Sequence, residues 1–425
     1  MIKETLKKIL PYSLIGAYHF ALAYLAAALY RFPSKKLLVI AVTGTKGKSS
    51  VTEMINAILE EAGHTTALLN SIRFKIGEES ERNLSRMSMP GRFFIQHFLH
   101  QAVKRGCTAA VLEMTSEGAV QYRHRAIELN ALVFTNLAPE HIERHGSYAA
   151  YSNAKFEIGK QLVRSKKRPR IMAANADDAQ AVRYLALPVE KKVGFSLGQH
   201  ESHADERGGR FVFDDKAIFI SLPGEFSLKN ALAATSVAHA LDIPTSTIVQ
   251  ALAKIKTIPG RAERIEEGQS FTVVVDYAHT PDSLQALYDA YSTSRKICVL
   301  GNTGGGRDTW KRPVMGEIAD KMCEGVFLTN EDPYDEDPRS IVEEMTKGMS
   351  AGGGSASGGK RSKLHIIMDR REAIREALKM AKPGDAVLIS GKGTDPCICV
   401  ENGKKIPWND AEVVRDELKR LTRKV

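Results

Sequence analysis

Residues 37–50 read Leu37-Leu38-Val39-Ile40-Ala41-Val42-Thr43-Gly44-Thr45-Lys46-Gly47-Lys48-Ser49-Ser50 and join a wholly apolar run to a loop rich in glycine and lysine. An unbroken apolar run bounded by turn residues reads as a strand buried on both faces. The stretch that follows, VTEMINAILEEAG, places apolar residues at helical spacing and stops at Gly63, as a helix ending does. Strand, glycine loop and helix in that order form a phosphate cradle. Backbone N–H groups and the helix N-terminus face the anion, Lys48 reaches the outer phosphates, and Ser49 offers an oxygen to magnesium. ATP is the expected ligand, with Gly44, Thr45, Lys46, Gly47, Lys48, Ser49 and Ser50 forming the loop. Val42 stands where the general phosphate-loop pattern has its first glycine, so the match is to T-G-T-x-G-K-S. A glycine turn with a stray lysine is the plainer alternative, and the flanking strand and helix weigh against it.

Outward from this loop, the chain is 425 residues long, enough for two or three domains. Apolar residues make up 43% and charged residues 26%, with a net charge of +10. Such a charge fits nucleic acid, an anionic membrane surface, or polyanionic small substrates. No basic run is interleaved with aromatics, so nucleic acid is not expected as a partner. The five cysteines (Cys107, Cys298, Cys323, Cys397 and Cys399) match no zinc spacing, and reduced thiols are expected. Residues 9–30, ILPYSLIGAYHFALAYLAAALY, carry no formal charge and are flanked by Lys3, Lys7, Lys8, Arg31, Lys35 and Lys36. They just reach bilayer-spanning length, but Pro11, Gly16, His19 and four tyrosines weaken a span. Two readings stand: a helix on or in the inner face of a membrane, or an apolar helix packed on protein. A secreted protein is not expected, because ATP chemistry belongs in the cytoplasm.

Further motifs follow. Ala109–Glu113 reads as a strand ending in an acid, then Met114-Thr115-Ser116-Glu117-Gly118. Ala131–Leu137 reads as another strand, followed by Ala138-Pro139-Glu140-His141 and His145-Gly146, and then by Tyr151-Ser152-Asn153-Ala154-Lys155. Next come Pro223-Gly224-Glu225-Phe226-Ser227-Leu228-Lys229-Asn230, Ile258-Pro259-Gly260-Arg261, Asp276-Tyr277-Ala278-His279-Thr280-Pro281-Asp282, and Gly301-Asn302-Thr303-Gly304-Gly305-Gly306-Arg307-Asp308. Together with the T-G-T-x-G-K-S loop, in this order, they resemble the Mur ligases over about Leu37 to Asp410.

The resemblance implies an ATP-dependent, ADP-forming acid–amino-acid ligase. A carboxylate would be activated as an acyl phosphate and attacked by an amine. The catalytic residues it implies are Lys48, His141, Lys155 and Arg307. Magnesium would be held by Ser49, Glu113, His141 and a carbamylated Lys155, since a bare ammonium beside the metal would be repelled. Asn230, Arg261, Asp276, His279 and Arg307 would join the loop in binding ATP, with domain closure around Arg261 completing the site. Ser88, Ser116, Arg123, Asp332, Lys392 and Asp395 fall at substrate positions, for a muramoyl-peptide-like acceptor and an incoming amino acid.

Four features depart from the family pattern. The muramoyl-tripeptide synthetases carry a UDP-binding domain ahead of the loop, whereas here the loop begins at Thr43. Glu331-Asp332-Pro333-Tyr334 stands where diaminopimelate-adding enzymes show Asp-Asn-Pro-Arg, and Gly391-Lys392-Gly393-Thr394-Asp395 keeps three residues of Gly-Lys-Gly-His-Glu. Lys46 and Glu117 replace an asparagine and a histidine.

Strands alternate with helices throughout, predicting α/β architecture. The expected domains are an apolar helix at 1–32, a central P-loop-type parallel-sheet domain at 33–259, and a C-terminal Rossmann-like domain at 260–425. Residues 349–359 (MSAGGGSASGG) read as a flexible loop. Two other functions compete with the muramoyl-peptide ligase: a ligase of the same chemistry with another acceptor, such as a folate glutamate, and a membrane-associated nucleotide-binding module without catalysis.

Overall fold

The computed structural model describes residues 12–140, 142–349 and 363–422. His141 and nearly all of the glycine–serine stretch 349–359 therefore lie outside the described residues, as do residues 1–11. The chain divides into two compact units. The first comprises Met1–Ser202, Phe211–Phe219 and Leu228–Ile255, and the second His203–Arg210, Ile220–Ser227 and Lys256–Val425.

The first unit is built on strands β1 (Leu38–Thr43), β2 (Thr66–Leu69), β3 (Arg73–Ile76), β4 (Glu79–Arg82), β5 (Ala109–Glu113), β6 (Ala131–Phe134), β7 (Ile171–Asn175) and β8 (Lys191–Phe195). They form one sheet in the order β4-β3-β2-β5-β1-β6-β7-β8. β1 lies at its centre, parallel to β5 on one side and β6 on the other. Both its faces are covered: Val39 and Ala41 point into one core and Ile40 and Val42 are equally buried. That is why the sequence there is a continuous apolar run rather than an alternating one. The sheet is not parallel throughout, because β2, β3 and β4 pair antiparallel at one edge. A short turn between β2 and β3 permits only that arrangement.

Three helices of this unit matter below: α1 (Tyr12–Leu29), α2 (Lys48–Glu61) and α3 (Arg92–Lys104). α1 packs its small residues Ala23, Ala26 and Ala27 inward, and Tyr30 just beyond it meets the rings of His97 and His100 on α3 at 5.3 and 5.7 Å. Among the described residues, no helix is long and apolar enough to cross a membrane. Three short strands, β9 (Ser202–Ala204), β10 (Gly209–Phe213) and β11 (Lys216–Ile220), make a small sheet of their own.

In the second unit, β12 (Glu263–Arg264), β13 (Thr272–Val275), β14 (Lys296–Leu300), β15 (Gly325–Leu328), β16 (Lys363–Ile366) and β17 (Ala386–Ile389) form a sheet in the order β12-β13-β17-β14-β15-β16. All neighbours are parallel except the edge pair β12–β13. Successive residues feed opposite faces: Val274, Cys298, Leu300 and Leu388 enter one core, while Val273, Val275, Val299 and Ile389 enter the other. Arg370 and Asp410 are a buried ion pair at 2.7 Å, and Trp408 donates its indole N–H to Asp410 at 2.7 Å. The expectation of five reduced thiols is corrected here. Cys298 of β14 and Cys323 are joined in a disulfide, 6.2 Å apart at Cα, leaving Cys107, Cys397 and Cys399 free. The two are 25 residues apart, and the parallel pairing of β14 with β15, which sets Ile297 opposite Gly325 and lets Glu324 N donate to Lys296 O, brings them together.

Candidate nucleotide and acceptor sites

The loop 44–49 leaves the C-terminal end of β1 between two neighbours, since Val42 pairs with Glu113 on β5 and with Val133 on β6. Gly44 and Gly47 have φ of +148° and +81°, which side-chain-bearing residues rarely adopt. A Cβ on Gly47 would also run into Oδ1 of Asn230, so Asn230 lies against the loop. The residues after β6 hold the loop from the other side. Asn136 O accepts from Thr45 N (2.9 Å), Asn136 Oδ1 from Lys46 N (2.8 Å), and Thr135 Oγ1 donates to Lys46 O (2.6 Å). The Thr45 and Tyr151 hydroxyls are 2.9 Å apart. Strand β6 therefore stops at Phe134, short of the predicted Leu137, because Thr135 and Asn136 turn to bind the loop. Lys48 Nζ donates to Thr45 O at 2.9 Å. Lys46 pairs with Glu140 at 3.4 Å and Glu117 with Arg144 at 2.5 Å, so two residues that depart from the family pattern have found ionic partners.

At the start of α2, Ser49 donates its hydroxyl to Glu113 Oε2 at 2.8 Å. The same oxygen accepts from Ser71 N at 3.0 Å, and the Ser49 and Ser71 hydroxyls are 2.7 Å apart. Ser71 escaped the sequence reading because it joins the site only through the adjacency of β2 and β5. Lys155 is buried and donates to Gly44 O at 2.6 Å. Burial first, and Lys48 second, hold its amine well below the usual lysine range. Among the described residues no group of three or more His, Cys, Asp or Glu side chains gathers as a metal site. The donors present, two hydroxyls and a carboxylate beside a phosphate loop, are hard oxygen ligands that fit magnesium bound mainly through nucleotide phosphates. A neutral lysine amine also fits the carbamylation chemistry, because only the uncharged form adds CO2.

Ser116 is buried with His145 Nε2 at 3.2 Å, and desolvation, assisted by Lys155, lowers the His145 pKa. Arg123 donates to the carbonyl of Met89, the residue next to Ser88 in the chain, and to Gln121 Oε1 at 2.7 Å. Desolvation and then Arg92 lower the Arg123 pKa. Arg92 binds Gln121 O at 2.9 Å and the ring of His19 on α1 at 2.8 Å. His124, next in the chain, is 1% exposed, and neither ring nitrogen has a hydrogen-bond partner among the described residues. Burial, then Arg125 and Arg164, push its pKa down to about 3.

In the second unit, Asp276 follows β13 and accepts from Ala262 N and Ala278 N, both at 2.6 Å. Desolvation raises its pKa against those two donors and Arg261. Arg261 lies 4.6 Å over the Tyr277 ring, and His279 Nδ1 is 2.7 Å from Tyr277 O. Arg307 stacks 4.9 Å over Tyr334. Trp310, just beyond, is exposed. Lys392 is wholly buried between Asp332 (2.9 Å) and Asp395 (3.3 Å), and Asp332 also accepts from Cys399 N at 2.7 Å. Burial alone would lower the Lys392 pKa, but Asp395 and Asp332 outweigh it and the net shift is upward.

A phosphate-loop α/β unit, followed in the chain by a second α/β unit with its own glycine loop, defines a nucleotide-dependent ligase. The chain belongs to the Mur ligase family: its residues 42–238 match the Mur ligase middle domain and residues 260–393 the Mur ligase, glutamate ligase domain. It is thereby an ATP-dependent ligase of a family that uses magnesium. It is 35% identical to a UDP-N-acetylmuramoyl-L-alanyl-D-glutamate–2,6-diaminopimelate ligase of Syntrophomonas wolfei, over 94% of this chain and 82% of that protein. It is also 35% identical, with the same coverage, to a UDP-N-acetylmuramyl-tripeptide synthetase of Roseiflexus. Among solved structures, a UDP-N-acetylmuramoyl-L-alanyl-D-glutamate–2,6-diaminopimelate ligase matches with a TM-score of 0.61 at 28% identity, over 91% of this chain and 79% of that one. A folylpolyglutamate synthase of Mycobacterium tuberculosis shares the fold, with a TM-score of 0.69 at 16% identity over 88% of this chain and 93% of that one.

Proposed function

We propose that the protein joins an amino acid to the carboxylate of a muramoyl-peptide in cell-wall precursor synthesis, working in the cytoplasm. Residues 33–259 would carry the phosphate site and residues 260–425 the second ligase domain. The observation that carries this reading is the set of groups around one loop: Lys48, the Ser49–Glu113–Ser71 oxygens and the buried Lys155.

Two anions, the acceptor carboxylate and the triphosphate, must approach each other, so fixed positive charge and oriented donors carry the catalysis. Lys48 holds the outer phosphates, and Gly44, Thr45, Lys46, Gly47 and Ser50 present the loop. Glu113 orients the Ser49 hydroxyl. Magnesium, when bound, supplies charge neutralisation, and Ser49, Glu113, His141 and a carbamylated Lys155 would hold it. Asn230, Arg261, Asp276, His279 and Arg307 are the remaining nucleotide contacts. Phosphoryl transfer leaves an acyl phosphate on the acceptor, and the amine displaces phosphate as the amide bond forms.

Ser88, Ser116 and Arg123 would bind the acceptor, and Asp332, Lys392 and Asp395 the incoming amino acid. Tyr334 occupies the place of the arginine expected for diaminopimelate, which favours a different amino acid. Residues 9–30 would seat the protein peripherally on the inner face of a membrane. The test is ADP release with a panel of muramoyl-dipeptide acceptors and amino acids. Turnover that needs both substrates is expected, and no turnover with any pair would refute the reading. For Lys155, a Lys155→Ala variant should be inactive and partly restored by a short-chain carboxylate, while full activity of the variant would remove the role.

A further inference from the structure

α1 contains no charged residue. Its small buried residues Ala23, Ala26 and Ala27 occupy one side. At about 100° per residue, Leu14, Tyr18, Leu25 and Leu29 fall together on the opposite side. They are 56%, 60%, 57% and 64% exposed. Scattered exposed apolar side chains are ordinary, but a stripe running the length of a helix marks an interaction surface. The chain just past the helix carries Arg31, Lys35 and Lys36, all exposed. An apolar face carrying Tyr18, with a basic collar at its end, complements an anionic lipid surface better than it does a protein groove.

The helix is also tied to the acceptor segment. His19 meets Arg92, which binds Gln121 O. The Phe20 ring stands edge-on to Tyr122 at 6.1 Å, and the Tyr122 hydroxyl lies 3.4 Å from where a Cβ of Gly16 would be. Gln121 and Tyr122 lead directly into Arg123, which holds the loop containing Ser88.

We propose that the acceptor is lipid-linked. The exposed stripe of α1 lies in an anionic lipid surface and holds the 87–90 and 121–123 segments over acceptors anchored in that surface. The inference rests on reading those segments as the acceptor site. Confinement to a surface raises the local acceptor concentration, which is worth on the order of 100-fold in apparent affinity without any new contact.

The experiment uses the full chain and a variant carrying Leu14→Gln, Tyr18→Gln, Leu25→Gln and Leu29→Gln. These are exposed positions whose replacement leaves the packed alanine side intact. Flotation with vesicles of phosphatidylcholine alone or mixed with phosphatidylglycerol reads surface binding. ADP release is then measured with a muramoyl-dipeptide carried either on UDP in solution or on a polyprenyl phosphate chain in the mixed vesicles. The expected result is that the parent chain floats with the mixed vesicles, and its kcat/KM for the vesicle-borne acceptor exceeds that for the soluble one by on the order of 100-fold. The variant should lose both while keeping the soluble rate. Failure to float, equal rates on the two acceptors, or an unchanged preference in the variant would overturn the inference alone. Turnover of neither acceptor would overturn the ligase reading and this inference with it.

Discussion

Replacing His124 by leucine should remove a pH-dependent weakness from the first unit. The imidazole is buried, has no hydrogen-bond partner among the described residues, and has its pKa pushed down to about 3 by burial. In the unfolded chain a histidine returns to about 6.5. The folded state therefore binds fewer protons, so the stability is complete above the unfolded value and is lost as pH falls from about 6.5 toward about 3. Between about pH 7.5 and about pH 5 this group alone should cost the parent chain about 2 kcal/mol, a cost the variant lacks. Leucine has similar volume and breaks no bond, so at about pH 7.5 the two proteins should agree within about 1.5 kcal/mol. Urea unfolding followed by far-ultraviolet circular dichroism at both pH values measures this directly. Other titrating groups act alike in both proteins and cancel in the difference between them. An identical acid-induced loss in parent and variant would refute the reasoning, as would an imidazole found protonated at about pH 5 in the folded chain.

Gly47→Ala should weaken binding of a non-hydrolysable ATP analogue by at least about tenfold, read by calorimetry, because the new Cβ faces Asn230 at a φ of +81°. Glu113→Gln, which removes the charge that orders Ser49 and Ser71, should lower kcat by about 100-fold or more; a rate unchanged at saturating magnesium would count against the site. Asp410→Asn should destabilise the second unit by about 3–5 kcal/mol, since it strands the buried Arg370 guanidinium, and a shift in urea midpoint corresponding to less than about 1 kcal/mol would contradict that. Alkylation of the denatured, unreduced protein should label three cysteines and spare Cys298 and Cys323; peptide mass spectrometry with five labelled sites would disprove the bridge.

What the sequence made legible was local and periodic. The apolar run 37–42, the glycines and the helical spacing after them specify β1, the loop and α2, because each depends on neighbours a few residues away. Glu113 was readable as a strand-end acid for the same reason. Contributions set by sheet order were not. Ser71 reaches Glu113 only because β2 lies beside β5, and Asn136 reaches Lys46 only because β6 lies beside β1. The antiparallel edges β3–β4 and β12–β13 carry no periodic signal distinguishing them from parallel strands. The Cys298–Cys323 bridge depends on β15 lying beside β14, which spacing cannot reveal.

The two tryptophans, Trp310 and Trp408, both belong to the second unit. Their settings differ: the Trp310 indole is half exposed, shortly after the glycine loop bearing Arg307, whereas the Trp408 N–H is anchored on Asp410. The protein thus carries its own pair of optical probes. Collisional quenchers such as iodide should reach Trp310 and largely spare Trp408, so occupancy near that loop can be followed by emission without attaching a dye. Light that excites tryptophan alone is blind to the first unit, where a tryptophan would have to be introduced for the same measurement.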